Sequence, residues 1–109
     1  MLKVEEAPAR LFAALGDVTR LGLIRRLSDG TERSIAQLSD GLPISRQAVA
    51  KHLDVLLGAG LVRRARSGRE ALFTLEREAI AGARDWLAQV SSQWDETLGR
   101  LKNFVESQP

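Results

Sequence analysis

Apolar positions recur at helical spacing through the first third of the chain. Val4, Ala7, Leu11, Ala14 and Leu15 step by three or four, with Phe12 beside them, and predict a first helix that Gly16 ends. Pro8 falls in that stretch, where only the start of a helix tolerates it. Asp17 suits the cap of a second helix carrying Leu21, Ile24 and Leu27 on one face. Asp29-Gly30 closes it, since Gly30 can take the left-handed conformation that follows a helix. Ser34-Ile-Ala-Gln37 spells a capping box, in which serine and glutamine each bond to the other's backbone. The third helix is short, because Asp40-Gly41 and Pro43 stop it. Ser45 caps a fourth, with Ile44 and Val49 placed as a hydrophobic staple, and that helix runs to about Gly58.

From Leu61 the period changes. "LVRRARSGREALFTL" holds two β-compatible runs around a Ser67-Gly68 tip, the pattern of a small hairpin. After Glu76 and Glu78 the helical period returns and continues to about Glu106 through Ile80, Ala83, Leu87, Val90, Trp94, Leu98, Leu101 and Val105. Such a helix spans ~45 Å, more than a domain this small needs to cover its own core. Its far half stays apolar at the same spacing, which points to a second copy of the chain packed against it. The expected contact set is Leu87, Val90, Trp94, Leu98, Leu101 and Val105, joined by Leu11, Phe12 and Leu15 of the first helix. The pattern predicts one domain over residues 1–109, mainly α with a small β-hairpin wing, in the order α-α-α-α-β-β-α. Its parts are a helix-turn-helix at about 34–58, a wing at about 61–75 and a dimerisation helix at about 76–106.

Composition narrows the function. Among 109 residues, 44% are apolar and 28% charged, as in an ordinary globular domain. No apolar run approaches the ~20 residues of a membrane helix. The opening "MLKVEEAPAR" has no apolar block, so no secretory signal and a cytoplasmic location are expected. There is no cysteine, which excludes disulfides, zinc–thiolate sites and thiol redox chemistry. With one histidine and no tyrosine, a catalytic constellation is hard to assemble, and no enzyme, cofactor or metal site is expected. The net charge is only +2, but residues 43–70 hold six basic residues against two acidic ones. The other ten basic residues face twelve acidic ones, so the positive charge is concentrated in one segment.

That segment contains the fourth helix. At 100° per residue, Val49, Leu53, Leu56 and Leu57 share one face. Gln47, Ala48 and Lys51 point the other way, with Arg46 near the edge and His52 on the flank. A short helix, a tight turn and a second helix slim at its start make a helix-turn-helix, whose second helix enters the major groove. Arginine and lysine can read guanine there, and glutamine adenine; Ser45 and the helix start suit a phosphate. Taken singly, each of these is an ordinary surface, capping or packed residue; together with the arginine-rich hairpin they favour double-stranded DNA as partner. Arg63, Arg64, Arg66 and Arg69 surround the hairpin tip, and strand alternation leaves at least one of them away from DNA.

"LFAALGDVTRLGLIRRL", followed by "SIAQLSDGLPISRQAVAKHLDVLLGAGLVRRARSGREALFTL", resembles the ArsR/SmtB group of winged helix-turn-helix repressors. The resemblance is firm over residues 11–75 and implies a bacterial or archaeal homodimer that represses transcription from an operator. By position it places Ser45, Arg46, Gln47, Ala48 and Lys51 on the DNA-facing side of the recognition helix. His52 falls in the "HL" pair that recurs there, with either a backbone contact or a structural role, while Arg64, Arg66 and Arg69 belong to the wing. Metal-sensing members of the group often carry a cysteine pair in the third helix or histidines in the last; "SIAQLSD" and the last helix here carry neither. The chain is therefore similar to the cysteine-free members, and its inducer is left open. A two-fold dimer would set its recognition helices ~34 Å apart or a multiple of it, on an inverted-repeat operator. Two other readings remain: a winged helix that assembles proteins without binding DNA, which the arginine wing disfavours, and an activator of the same fold.

Overall fold

The computed structural model describes residues 6–107. Val4, counted above in the first helix, lies outside them. Helix α1 (Glu6–Leu15) has Pro8 in its first turn and buries Leu11 and Ala14. The carboxylate of Asp17 accepts from the Arg20 N–H at 3.0 Å and so starts α2 (Val18–Arg26). The inward stripe of α2 is Leu23 and Ile24, continued by Leu27 just past its end. Leu21, expected on that stripe, is instead 51% exposed. It lies roughly 110° from the stripe's centre at 100° per residue, and Arg20 occupies the inward position one turn earlier.

One strand was not anticipated. β1 (Arg33–Ser34) precedes α3 (Ile35–Ser39) and pairs antiparallel with β3 (Glu70–Leu75), setting Arg33 opposite Phe73 and Ser34 opposite Leu72. The predicted hairpin of β2 (Val62–Ser67) and β3 is therefore part of a three-stranded sheet in the order β1-β3-β2. Two residues carry no detectable period, so the strand was invisible to pattern. Arg33 anchors it by donating to both oxygens of Asp29 at 2.9 and 3.0 Å and to the Arg26 carbonyl at 2.6 Å. The capping box of α3 is present as predicted, with Gln37 N–H to Ser34 Oγ at 3.2 Å and Ser34 N–H to Gln37 Oε1 at 2.8 Å.

Helix α4 (Arg46–Gly58) lays Val49, Leu53 and Leu56 into the core against Leu23, Leu27 and Leu38, and Leu57 is partly buried beside them. It ends in a Schellman motif: Leu61 N–H reaches the Leu56 carbonyl and Gly60 N–H the Leu57 carbonyl, both at 3.0 Å. Gly60 sits at φ +74°, a conformation that side chains disfavour, and it turns the chain directly into the sheet. Leu61, Val62 and Phe73 then close the core from the wing side. At the hairpin tip Gly68 has φ +61°, whereas Arg69 stays at negative φ, as in a type II′ turn. The tip is thus Gly68-Arg69, one residue later than expected, with Ser67 and Glu70 paired across it.

Helix α5 (Arg77–Glu106) buries no residue fully. Ala79, Ile80 and Ala83 pack against the core, and the Trp86 ring meets Phe12 of α1 at 5.4 Å between centroids, tilted by 57°. From Leu87 onward every described position is exposed. The molecule measures 72 × 31 × 23 Å with a radius of gyration of 19.1 Å, against about 13 Å for a compact domain of this length. Among the described residues no helix is long and apolar enough to cross a membrane.

Candidate nucleic-acid interface

Ser45 begins the site. Its hydroxyl accepts from the Ala48 N–H at 3.1 Å, which fixes where α4 starts and leaves other first-turn N–H groups facing outward. Arg46, Gln47 and Lys51 are exposed, opposite the buried Val49, Leu53 and Leu56. Ala48 and Ala50 are partly covered and keep the helix slim between them. The end of α3 is tied to α2, because the Arg26 guanidinium donates to the Leu38 carbonyl at 2.9 Å and the Asp40 carbonyl at 2.7 Å. Arg46 points toward the wing, where with Ser34, Ile35, Ala36, Glu70 and Ala71 it lines a shallow cleft of about 260 Å³.

The sheet register sorts the wing arginines. Val62, Arg64 and Arg66 alternate onto one face, opposite Leu75, Phe73 and Ala71 respectively. Arg63 falls on the other face, where its guanidinium pairs with Glu76 at 3.6 Å, so it is the arginine that serves the protein itself. Arg64, Arg66 and Arg69 are all exposed. One helix ridge and one strand face thus present exposed cations, Arg46 and Lys51 on the first and Arg64 and Arg66 on the second, while Arg63 faces Glu76.

His52 is placed differently from the ridge. Its side chain is 26% exposed, and Nδ1 lies 3.3 Å from Arg20 Nη1 and 3.8 Å from Asp17 Oδ2. Asp17 and Arg20 were not anticipated as site residues; 32 positions separate Arg20 from His52, and no local pattern joins them. Asp17 is held below the usual carboxylate range, chiefly by the Arg20 N–H it accepts.

The expected contact residues of α5 lie together on an open face: Leu87, Val90, Trp94, Leu98, Leu101 and Val105 are 43–60% exposed. Phe104, not foreseen, is 63% exposed. It lies two seven-residue steps beyond Val90, with Thr97 between, while Trp94 and Leu101 continue the step from Leu87 without a break. On α1, Leu11 is only 8% exposed, a correction to the expected set. It faces the protomer's own core with Ala14, so Phe12 and Leu15, both half-buried, are what this helix offers a neighbour. Among the described residues no three histidines, cysteines or carboxylates are grouped to hold a metal ion.

A capped short helix, a fixed turn, a slim cationic second helix and an arginine-bearing hairpin define a winged helix-turn-helix DNA-binding regulator, not an enzyme. The chain belongs to the ArsR/SmtB family of such regulators. A family model described as "Helix-turn-helix domain" matches residues 9–65. The HTH-type transcriptional regulator Rv2034 of Mycobacterium tuberculosis is 31% identical over 102 residues, covering 94% of this chain and 92% of that one. The HTH-type transcriptional repressor SmtB of the same species is 32% identical over 79 residues, 72% of this chain and 58% of that one. An ArsR-like transcriptional regulator from Rhodococcus sp. RHA1 superimposes with a TM-score of 0.83 at 33% identity, over 98% of this chain and all of that one.

Proposed function

We propose that this chain is a homodimeric repressor that binds an inverted-repeat operator without a metal cofactor. The observation that carries the reading is the division of α4, with Val49, Leu53 and Leu56 in the core and Arg46, Gln47 and Lys51 outside. Gln47 and Lys51 read base edges in the major groove, and Arg46 works at its rim. Ser45, with the first-turn N–H groups of α4, meets a phosphate, and His52 supports the helix from its flank. Arg64, Arg66 and Arg69 hold the backbone or the neighbouring minor groove, where negative potential favours arginine. The open face of α5 takes a second copy, and the pair spaces its two α4 helices for two half-sites. Repression is supported by the name of the SmtB relative.

Genomic fragments captured by the purified protein and then footprinted give the operator. Binding should weaken steeply as salt rises, since each neutralised phosphate releases counterions. The double variant Gln47→Ala/Lys51→Ala should lose about tenfold or more in operator affinity, as expected for lost base contacts, with its thermal transition unchanged. Undiminished operator binding by that variant refutes the assignment of α4.

A further inference from the structure

We infer that Arg20 is a positioning residue for DNA recognition, acting on α4 through His52. The inference deepens the DNA-binding reading above and rests on it. Arg20 Nε donates to the Ala14 carbonyl at 2.6 Å, near the end of α1 where a helix leaves carbonyls without internal partners. Its Nη1 lies 3.3 Å from His52 Nδ1. A guanidinium has donors only, so in a hydrogen bond between the two Nδ1 is the acceptor. Asp17, already fixed as the cap of α2, sits 3.8 Å from the same nitrogen and offsets the guanidinium charge. Four groups therefore clasp the end of α1, the start of α2 and the flank of α4.

The clasp supplies what the core beneath it does not. Leu11, Ala14, Leu23 and Leu53 hold the helices together by burial, which has no preferred direction. Hydrogen bonds fix angles. His52 adjoins Lys51 and lies one turn beyond Ala48, so turning α4 about its axis moves Lys51 and Gln47 across the groove. At the other end of the clasp, α1 packs on α5 through Phe12 and Trp86. The orientation of the groove-facing helix is thus referred to the helices that would join two copies. Two of the three guanidinium nitrogens of Arg20, Nε and Nη1, are engaged within the protein.

The test compares wild type, Arg20→Ala, His52→Asn, His52→Leu and the double variant Arg20→Ala/His52→Leu. Affinity is measured for the selected operator and for a random duplex of equal length, in one buffer well below each variant's thermal transition. Asn places an oxygen near the position of Nδ1 and keeps the acceptor; leucine removes it. Arg20→Ala and His52→Leu should each lose about tenfold on the operator, the worth of a misplaced base contact, and little on the random duplex. His52→Asn should stay near wild type, and the double variant should lose no more than Arg20→Ala alone. Equal losses on both duplexes would mean a plain charge contact and overturn the inference. So would wild-type binding by His52→Leu, or losses that multiply in the double variant. If Arg20→Ala does not fold, equal operator binding by His52→Asn and His52→Leu overturns it alone. A wild type that cannot tell operator from random duplex defeats the DNA-binding reading itself, a result distinct from all of these.

Discussion

Asp29 accepts two hydrogen bonds from the Arg33 guanidinium and one from the Thr31 N–H at 3.0 Å, and these hold its carboxyl far below the usual carboxylate range. Asp17 is lowered in the same sense. A carboxyl whose folded pKa is depressed adds stability above its ordinary value of 3.8 and loses it as the pH falls toward the folded value. Urea midpoints from about pH 6 to about pH 3 should therefore fall more steeply for wild type than for Asp29→Asn, which starts less stable. Parallel curves would show that the Asp29–Arg33 pair plays no part in acid unfolding. At this scale the sequence was legible where chemistry is local. Asp17, Ser34 and Ser45 were expected as caps and are caps, because a cap needs only the next three residues. The Arg20–His52 contact was not legible, since folding alone brings its halves together.

Elements follow the same division. The longer helices were readable from a period repeated over several residues, the five-residue α3 from its capping box, and the hairpin from its turn between two β-compatible runs. β1 was not, because two residues have no period and its pairing partner lies some 40 positions onward in β3. The hairpin also shows what register adds to composition. Four arginines were visible, but only pairing with β3 puts Arg64 and Arg66 on one face and gives Arg63 to Glu76. Removing Arg66 and Arg69 together should weaken binding similarly for many duplex sequences and reduce the salt slope by about 2 if each meets one phosphate. A loss confined to one base position would show base reading by the wing instead.

Over the whole molecule, α5 sets the dimensions: the chain is 72 Å long because the outer two thirds of that helix, from Leu87 on, runs out exposed beyond the core. The helix and its apolar step were legible, but which α1 residues remained for a neighbour was not. Leu11 goes to the core because α1 turns that face toward α2 and α4, a tertiary choice that spacing cannot make. Trp94, 60% exposed at the middle of the open face, is the natural anchor. Trp94→Ala should weaken self-association by roughly thirtyfold, the equivalent of ~2 kcal/mol at a central tryptophan. An unchanged dimer by analytical ultracentrifugation would place the seam elsewhere. The bare outer part of α5 also makes abundance a control variable. While protomers are scarce, the population of paired molecules rises with the square of chain concentration, so operator occupancy climbs faster than synthesis and collapses faster than dilution.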